Sequence, residues 1–292
     1  MTEDLHCTLP ASDLDLDVTL HSGQVFHWLP HGNGFLGAIG EHAVYVEQKG
    51  ENLIVAPDQV ELVRHYFALD HPMERILATF PRDETMSQAV AFSKGMRIIR
   101  QPIWECLATF ITSALKQVQH IRAISLALRQ RFGRSVHYAK LETRAYPRPE
   151  VLAGAELHAL LECRLGFRAK NLLATAKIVA SGEIDIEGLH GRSTSVVRET
   201  LCQLPGVGEK VANCVLLFAY ERLEAFPIDV WIARMLRERH FAKRSSVRSR
   251  ELQAFAADYF GPYGGYAQQY LFHHWRMTHS SRGGSKQNQS SF

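Results

Sequence analysis

No Cys-x-x-Cys pair occurs in this 292-residue chain, and its five cysteines, Cys7, Cys106, Cys163, Cys202 and Cys214, are odd in number and widely spaced. That arrangement suggests neither a disulfide framework nor a cysteine zinc site, and the thiols read as reduced and mostly buried. Long apolar runs are lacking as well: none reaches the roughly 18 residues a bilayer crossing needs. The start, Met1-Thr2-Glu3-Asp4, is acidic and lacks the basic segment and apolar stretch of a secretory leader, so an intracellular location is expected, nucleoid or nucleus by source. Excess charge of one sign is absent too, because a net charge of +3 permits a nucleic-acid partner without arguing for one. Internal repeats are not visible. What remains is 46% hydrophobic and 22% charged content, enough for one large core or two joined lobes.

The hydrophobic pattern changes along the chain. Between residues 14 and 56 it is short and β-like, with strands expected at 43–47 and 52–55 across a Lys49-Gly50 turn. After Pro57 the spacing Val60, Val63, Tyr66, Phe67 forms a helical stripe. Helices are expected near 102–113, 119–132, 155–161, 169–181, 196–201, 209–223, 230–238 and 266–277. The segment 137–151 carries Pro147 and Pro149 and reads as a connector. The fold class is therefore α+β, mainly α. A small antiparallel sheet lobe with a helix (1–100) precedes a helical domain (101–279), and a Ser, Gly, Gln and Asn tail (280–292) is expected to be disordered.

The most informative stretch is Leu204-Pro205-Gly206-Val207-Gly208-Glu209-Lys210, between two helical patterns. Pro205 cannot sit in a helix interior, Gly206 and Gly208 can take positive φ, and Glu209 opens the next helix. Such a turn aims backbone N–H groups outward at a positive helix end, which suits a DNA phosphate. An isolated Pro-Gly turn fits ordinary packed helices equally well. Lys210, however, lies in the first helical turn, where the helix dipole disfavours a cation and favours the neutral, nucleophilic amine. Downstream, Phe226-Pro227-Ile228-Asp229-Val230 reads as an extended segment ending in an acidic N-cap. Beyond capping, a carboxylate there is what amine-mediated glycosidic cleavage requires: the amine attacks C1′ of a sugar and the carboxylate supports the developing positive charge.

In order and spacing, this hairpin with Lys210, Cys214, Pro227 and Asp229 resembles the helix-hairpin-helix DNA glycosylases, most closely the 8-oxoguanine DNA glycosylases. The likeness runs from Leu14 to about Met277. It implies a bifunctional N-glycosylase and β-lyase, with Lys210 as nucleophile, Asp229 as its carboxylate partner, and no metal or organic cofactor. It implies a monomer acting on double-stranded DNA that contains an oxidised purine. Ser22-Gly23-Gln24-Val25-Phe26-His27-Trp28 is similar to the family's N-terminal signature, in which the glycine carbonyl, here that of Gly23, accepts the N7 hydrogen that distinguishes 8-oxoguanine from guanine. The resemblance places Gln268 at the base edge, Phe272 on the base ring, and Cys214 and Pro227 in the pocket. Gly206, Val207 and Gly208 would contact backbone phosphates. Leu165-Gly166-Phe167-Arg168 is similar to a Gly-Tyr-Arg turn, implying Phe167 as a wedge and Arg168 as a reader of the estranged base.

Five positions depart from that pattern. His27 stands where the signature has Arg, and Trp231 where close relatives have a phosphate-side His. Leu115, Lys116 and His120 occupy places where animal and fungal members insert an Asn run and an Arg at the opposite cytosine. Leu115 can fill the gap as an apolar plug, without the hydrogen bonds that make discrimination steep, which leaves opposite-base selectivity open. No cysteine follows Cys214, so this chain cannot build the C-terminal iron-sulfur loop of many endonuclease III-type relatives. Lys210 separates it from the 3-methyladenine glycosylases, which generally lack that lysine. Two readings stay open: the same chemistry on another oxidised or ring-opened purine, and a non-catalytic damaged-DNA-binding module.

Overall fold

The computed structural model describes residues 6–244 and 246–280. Its sheet lobe holds five antiparallel strands, β1 (Cys7–Pro10), β2 (Leu29–His31), β3 (Gly34–Ile39), β4 (His42–Lys49) and β5 (Asn52–Val55), in the order β1-β5-β4-β3-β2. The expected Lys49-Gly50 turn is present, with Lys49 paired to Asn52 and Gly50 at φ +58°. Leu9, Val44, Val46, Leu53 and Val55 fill one core with Trp28, Val63, Tyr66 and Phe67.

Not all of residues 14–56 is strand. Asp15 accepts the Val18 N–H at 2.9 Å and starts α1 (Leu16–His21), a capped turn that the β-like pattern hid. Ser22 closes that helix and Gly23 follows at φ +91°, the left-handed conformation that ends helices. Gly23 is thus a post-helical turn glycine and not a strand residue. The segment read as a connector forms a hairpin of β6 (Ser135–Tyr138) and β7 (Leu141–Arg144), whose Val136 packs with Ala145 on Ala38 and Ala43 of the main sheet. Its turn lacks the usual punctuation, since Ala139 takes φ +50° without a glycine or asparagine.

The remaining helices are α2 (Val60–Tyr66), α3 (Met73–Ala78), α4 (Glu84–Phe92), α5 (Ile103–Thr112), α6 (Val118–Phe132), α7 (Pro149–Ala153), α8 (Leu157–Glu162) and α9 (Arg168–Ala180). They continue with α10 (Thr194–Leu201), α11 (Glu209–Phe218), α12 (Val230–His240), α13 (Ser249–Phe260) and α14 (Gly264–Ser280). One helical core joins α5, α6, α9, α11, α12 and α14, and it also takes in Met73, Ile76, Phe80, Met86 and Met96 from the segment between the sheet and α5. The expected tail lies outside the described residues beyond Ser280, which closes α14.

Several helical expectations change, since α3, α4, α7 and α13 were not anticipated. In α13, Leu252, Ala256 and Phe260 line one face directly after a basic segment with few apolar residues, which gives the period no clear start. Helix α11 ends at Phe218 and not at Leu223, although apolar residues continue. Its last carbonyls accept from Tyr220 and Arg222 N–H groups while Glu221 takes φ +56° in the position glycine prefers. What holds a glutamate there is its carboxylate: His71 Nε2 lies 2.6 Å away, Arg100 pairs with it, and Arg100 also grips Asp70 at 2.6 and 2.9 Å. Tyr266 of α14 meets the other His71 nitrogen at 2.7 Å, so the network pins both lobes at the base of the loop leading to Asp229.

Candidate active site

The hairpin between α10 and α11 forms where the sequence anticipates it, but Gly208 is extended at φ −103° and does not use the positive φ open to it. Gly206 lies at φ +82° with Asn171 of α9 so close that an added Cβ would fall 2.8 Å from it, and Thr175 Oγ1 donates to the Pro205 carbonyl at 3.0 Å. Gly208 is the N-cap of α11 and supplies no side-chain acceptor, leaving first-turn N–H groups to an outside anion. Gly206 and Gly208 are exposed, whereas the Val207 side chain is buried in the helical core. Any contact of Val207 with DNA therefore runs through its backbone.

Lys210 is half-buried on α11, its Nζ 5.2 Å from the centre of the Phe110 ring, which stacks on Phe218 at 5.5 Å. One turn on, buried Cys214 hydrogen-bonds with Lys210; burial pushes its thiol pKa up while the lysine's charge pulls it down. Cys106 of α5 completes this floor, and burial likewise raises its pKa well above the ordinary thiol value. The half-buried Asp229 caps α12 by accepting the Ile232 N–H at 2.8 Å. Burial raises its carboxyl pKa above the ordinary range, with the Ile232 hydrogen bond and the Lys210 charge opposing. An amine thus sits on an apolar aromatic face within electrostatic reach of one carboxylate, a setting for nucleophilic attack with charge support. Pro227, two residues before Asp229, is buried.

A second group of residues forms around Gly23. A Cβ there would meet Phe272 Cε1 at 3.1 Å, Arg276 Nη1 at 3.2 Å and Val118 Cγ2 at 3.4 Å. Helix α14 grips the turn, with Gln269 Nε2 donating to the Ser22 carbonyl at 3.1 Å and Arg276 Nη2 to the His21 carbonyl at 2.6 Å. Arg276 also lies against Phe272, 5.7 Å from its ring centre. Gln24 is fully buried, donating to the Arg97 carbonyl and accepting from Ile99, while Gln101 bonds both the Gln24 and Phe218 carbonyls and so links this turn to α11. One helical turn before Phe272, Gln268 is buried with no partner for its Oε1 among the described residues. A buried acceptor left open is costly, so it marks a place for a donor from a ligand.

Four of the remaining anticipated residues lie on the surface and two do not. Leu115 is 86% and Phe167 60% exposed, Trp231 is partly exposed, and His120 is exposed. Arg168 is not free to read a base in this structure: it is buried, and Nε donates to the Ala114 carbonyl at 2.6 Å. His27 is buried as well, its Nε2 2.8 Å from the Ala38 carbonyl and its Nδ1 3.3 Å from Glu105, which pairs with Arg129. Phe110 and Cys106 escaped the sequence reading because ordinary core spacing explains them, and Asn171 and Arg276 because a polar residue on a helix usually marks its solvated face. Among the described residues no group of three His, Cys, Asp or Glu side chains could hold a metal ion, and no helix is long and apolar enough to cross a membrane.

Residues 6–107 match the model for the 8-oxoguanine DNA glycosylase N-terminal domain, and residues 108–257 that for HhH-GPD superfamily base excision DNA repair proteins. The chain belongs to the HhH-GPD superfamily. Lys210, Cys214 and Asp229 all lie within the HhH-GPD match, and Gly23 within the N-terminal one. A probable N-glycosylase/DNA lyase of Methanothermobacter thermautotrophicus is 29% identical, covering 92% of this chain and 96% of the relative. The structure of MBOgg1 in complex with a low-affinity DNA ligand superposes with a TM-score of 0.88 at 33% identity, covering 95% and 98% of the two chains. The Clostridium acetobutylicum 8-oxoguanine glycosylase/lyase, solved with double-stranded DNA carrying cytosine opposite 8-oxoguanine, gives 0.86 at 27% identity over 95% and 99%. The α+β, mainly α glycosylase fold expected from the sequence is the fold found.

Proposed function

We infer that the protein is a bifunctional DNA N-glycosylase and AP lyase that excises 8-oxoguanine from duplex DNA, acting as a monomer. The observation that carries this is the Lys210 amine over Phe110, beside Cys214 and within reach of the half-buried Asp229, at the foot of the phosphate-binding hairpin. In this reading the hairpin holds the backbone, and the lesion leaves the stack for the space between Gly23, Gln268 and Phe272. The Gly23 carbonyl accepts the N7 hydrogen of the lesion, the open Gln268 Oε1 accepts an N–H of the base edge, and Phe272 covers the ring.

Neutral Lys210 Nζ attacks C1′ as the C1′–N9 bond breaks and its electron pair leaves with the base, which takes up a proton. Asp229 offsets the positive charge that develops on the sugar. One proton then passes from the nitrogen to O4′ as the C1′–O4′ bond breaks and the nitrogen lone pair closes onto C1′, which opens the sugar ring and yields a protonated Schiff base. Loss of a C2′ proton then expels the 3′ phosphate in the β-elimination step.

Borohydride reduction during reaction with an 8-oxoguanine duplex is expected to crosslink the protein to DNA, and Lys210→Gln to abolish the adduct. An adduct of wild-type yield in that variant removes Lys210 from the role. A wider lesion range is the second reading, favoured by Leu115 and His120 at the opposite-strand positions. A panel of oxidised and ring-opened purines against four opposite bases separates the two.

A further inference from the structure

The turn after α5 and the start of α9 form one mechanical unit. Leu115 takes φ +55°, a region a branched residue occupies only when its surroundings impose it. Its side chain is nonetheless directed into solvent, and among the described residues no large apolar side chain is more exposed. The Lys116 N–H closes the turn onto the Ser113 carbonyl at 3.1 Å, and the Arg168 guanidinium braces it from outside: Nε and Nη2 both donate to the carbonyl of Ala114, the residue before Leu115, and Nη1 donates to the Leu165 carbonyl at 3.3 Å. The Phe167 ring lies 4.2 Å from the guanidinium carbon and is itself exposed. The donors of Arg168 therefore face inward while two apolar side chains stand out beside it.

We propose that Arg168 is a positioning residue that locks the Leu115 turn as a rigid apolar plug, with Phe167 as its companion, and that it does not read the base opposite the lesion. The proposal rests on the base-flipping function above and adds how the vacated space is filled. To reach a base, Arg168 would have to give up both bonds to Ala114 and leave the turn held by the single backbone bond from Lys116 N–H to the Ser113 carbonyl at 3.1 Å. Left in place, the arginine keeps Leu115 ordered before DNA arrives, so insertion costs less ordering entropy. Leu115 and Phe167 offer no hydrogen-bonding group to the opposite strand, so this unit distinguishes the four bases weakly.

The test is single-turnover excision of 8-oxoguanine opposite each of the four bases by wild type, Arg168→Gln, Leu115→Ala and the double variant. Arg168→Gln is expected to slow excision by one common factor, roughly tenfold, whatever the opposite base, and by less than about twofold when Leu115 is already alanine. Fluorescence of 2-aminopurine placed opposite the lesion should report the same loss of insertion. Slowing confined to one opposite base, or of equal size with and without the Leu115 side chain, overturns the proposal. Thermal unfolding of each variant controls for folding, and Arg168→Lys carries the comparison if Arg168→Gln does not fold. A wild type that excises nothing defeats the substrate reading alone; the same variants trapped with borohydride on abasic-site duplexes then decide the role of Arg168.

Discussion

Replacing Gly23 with alanine separates what this residue does for the fold from what it does for the reaction. The backbone stands at φ +91°, where a side chain costs about 1–2 kcal/mol. The new methyl would lie 3.1 Å from Phe272 Cε1 and 3.2 Å from Arg276 Nη1, so one of them must give by a few tenths of an ångström. Arg276 is held by the His21 carbonyl at 2.6 Å, which leaves the half-buried Phe272 ring to move. Stability is therefore expected to fall by about 1–2 kcal/mol, a drop in Tm of roughly 2–8 °C for a chain of this size. The reaction should suffer more, because the methyl and the displaced ring both intrude where the base is proposed to be held; a misplacement near 1 Å costs about 100-fold, so a shift of a few tenths of an ångström should cost at least several-fold. Urea unfolding and single-turnover excision on the same preparation read the two effects. A Gly23→Ala protein with the wild-type unfolding midpoint and excision within about threefold of wild type refutes both the imposed φ and the position of the pocket.

At Asp229 the two effects are expected to part in opposite directions. Asparagine keeps an acceptor for the Ile232 N–H and removes a charge that burial disfavours, so Asp229→Asn should match or exceed wild-type stability at pH 7 while excision falls by about 100-fold or more. Because burial raises this carboxyl pKa, its favourable contribution belongs to low pH and is lost as pH rises through the folded value, so the variant's advantage should appear above the usual carboxylate range. Asp229→Ala loses the cap and should cost about 1 kcal/mol; a urea midpoint for Asp229→Asn below that of Asp229→Ala contradicts this account. The lobe-bridging network gives an acid limb of the other sign. Hydrogen bonds from His71 and Arg100 hold Glu221 down to about 2, and Arg100 holds Asp70 to about 2, from ordinary values of 4.5 and 3.8. That stabilisation is complete above the ordinary values and is lost as pH falls from about 4.5 towards 2. Both carboxylates are more than a third exposed, so screening leaves it at about 1 kcal/mol or less. Arg100→Gln should flatten that limb in urea midpoints taken between pH 5 and 2.5, and parallel curves speak against it.

Much of this site was legible because its chemistry lies in short, ordered segments. The hairpin, Lys210, Cys214 and Asp229 fall within one stretch whose turn residues dictate local geometry, and the structure forms it where anticipated. The β4–β5 turn was legible for the same reason. What escaped depends on distant partners. Glu221 stops α11 in a left-handed conformation only because His71 and Arg100 wait in the other lobe, and no pattern near residue 221 announces them. Arg168 has the right neighbours for a base reader, yet a carbonyl 54 residues away takes its donors. Val207 is a hydrophobic residue in the turn proposed to bind phosphate, and burial claims its side chain while its glycine neighbours stay exposed. The β6–β7 hairpin carries too few strand-forming residues and no turn glycine, and its packing on Ala38 and Ala43 supplies what propensity does not.

The grip of α14 on the Ser22-Gly23 turn also sets an order of assembly. Its bonds to the Ser22 and His21 carbonyls join residues 247 and 255 positions apart, so at synthesis rates of about 5–20 residues per second the turn emerges roughly 10–50 s before its partners. The sheet lobe can condense in that interval on its own core, and the hairpin with Lys210 also precedes α14 along the chain. The proposed base pocket closes after both. A nascent chain stalled before Gly264 has Lys210 in place but not the α14 side of that proposed pocket, so on this reading selection is completed only with the last described helix.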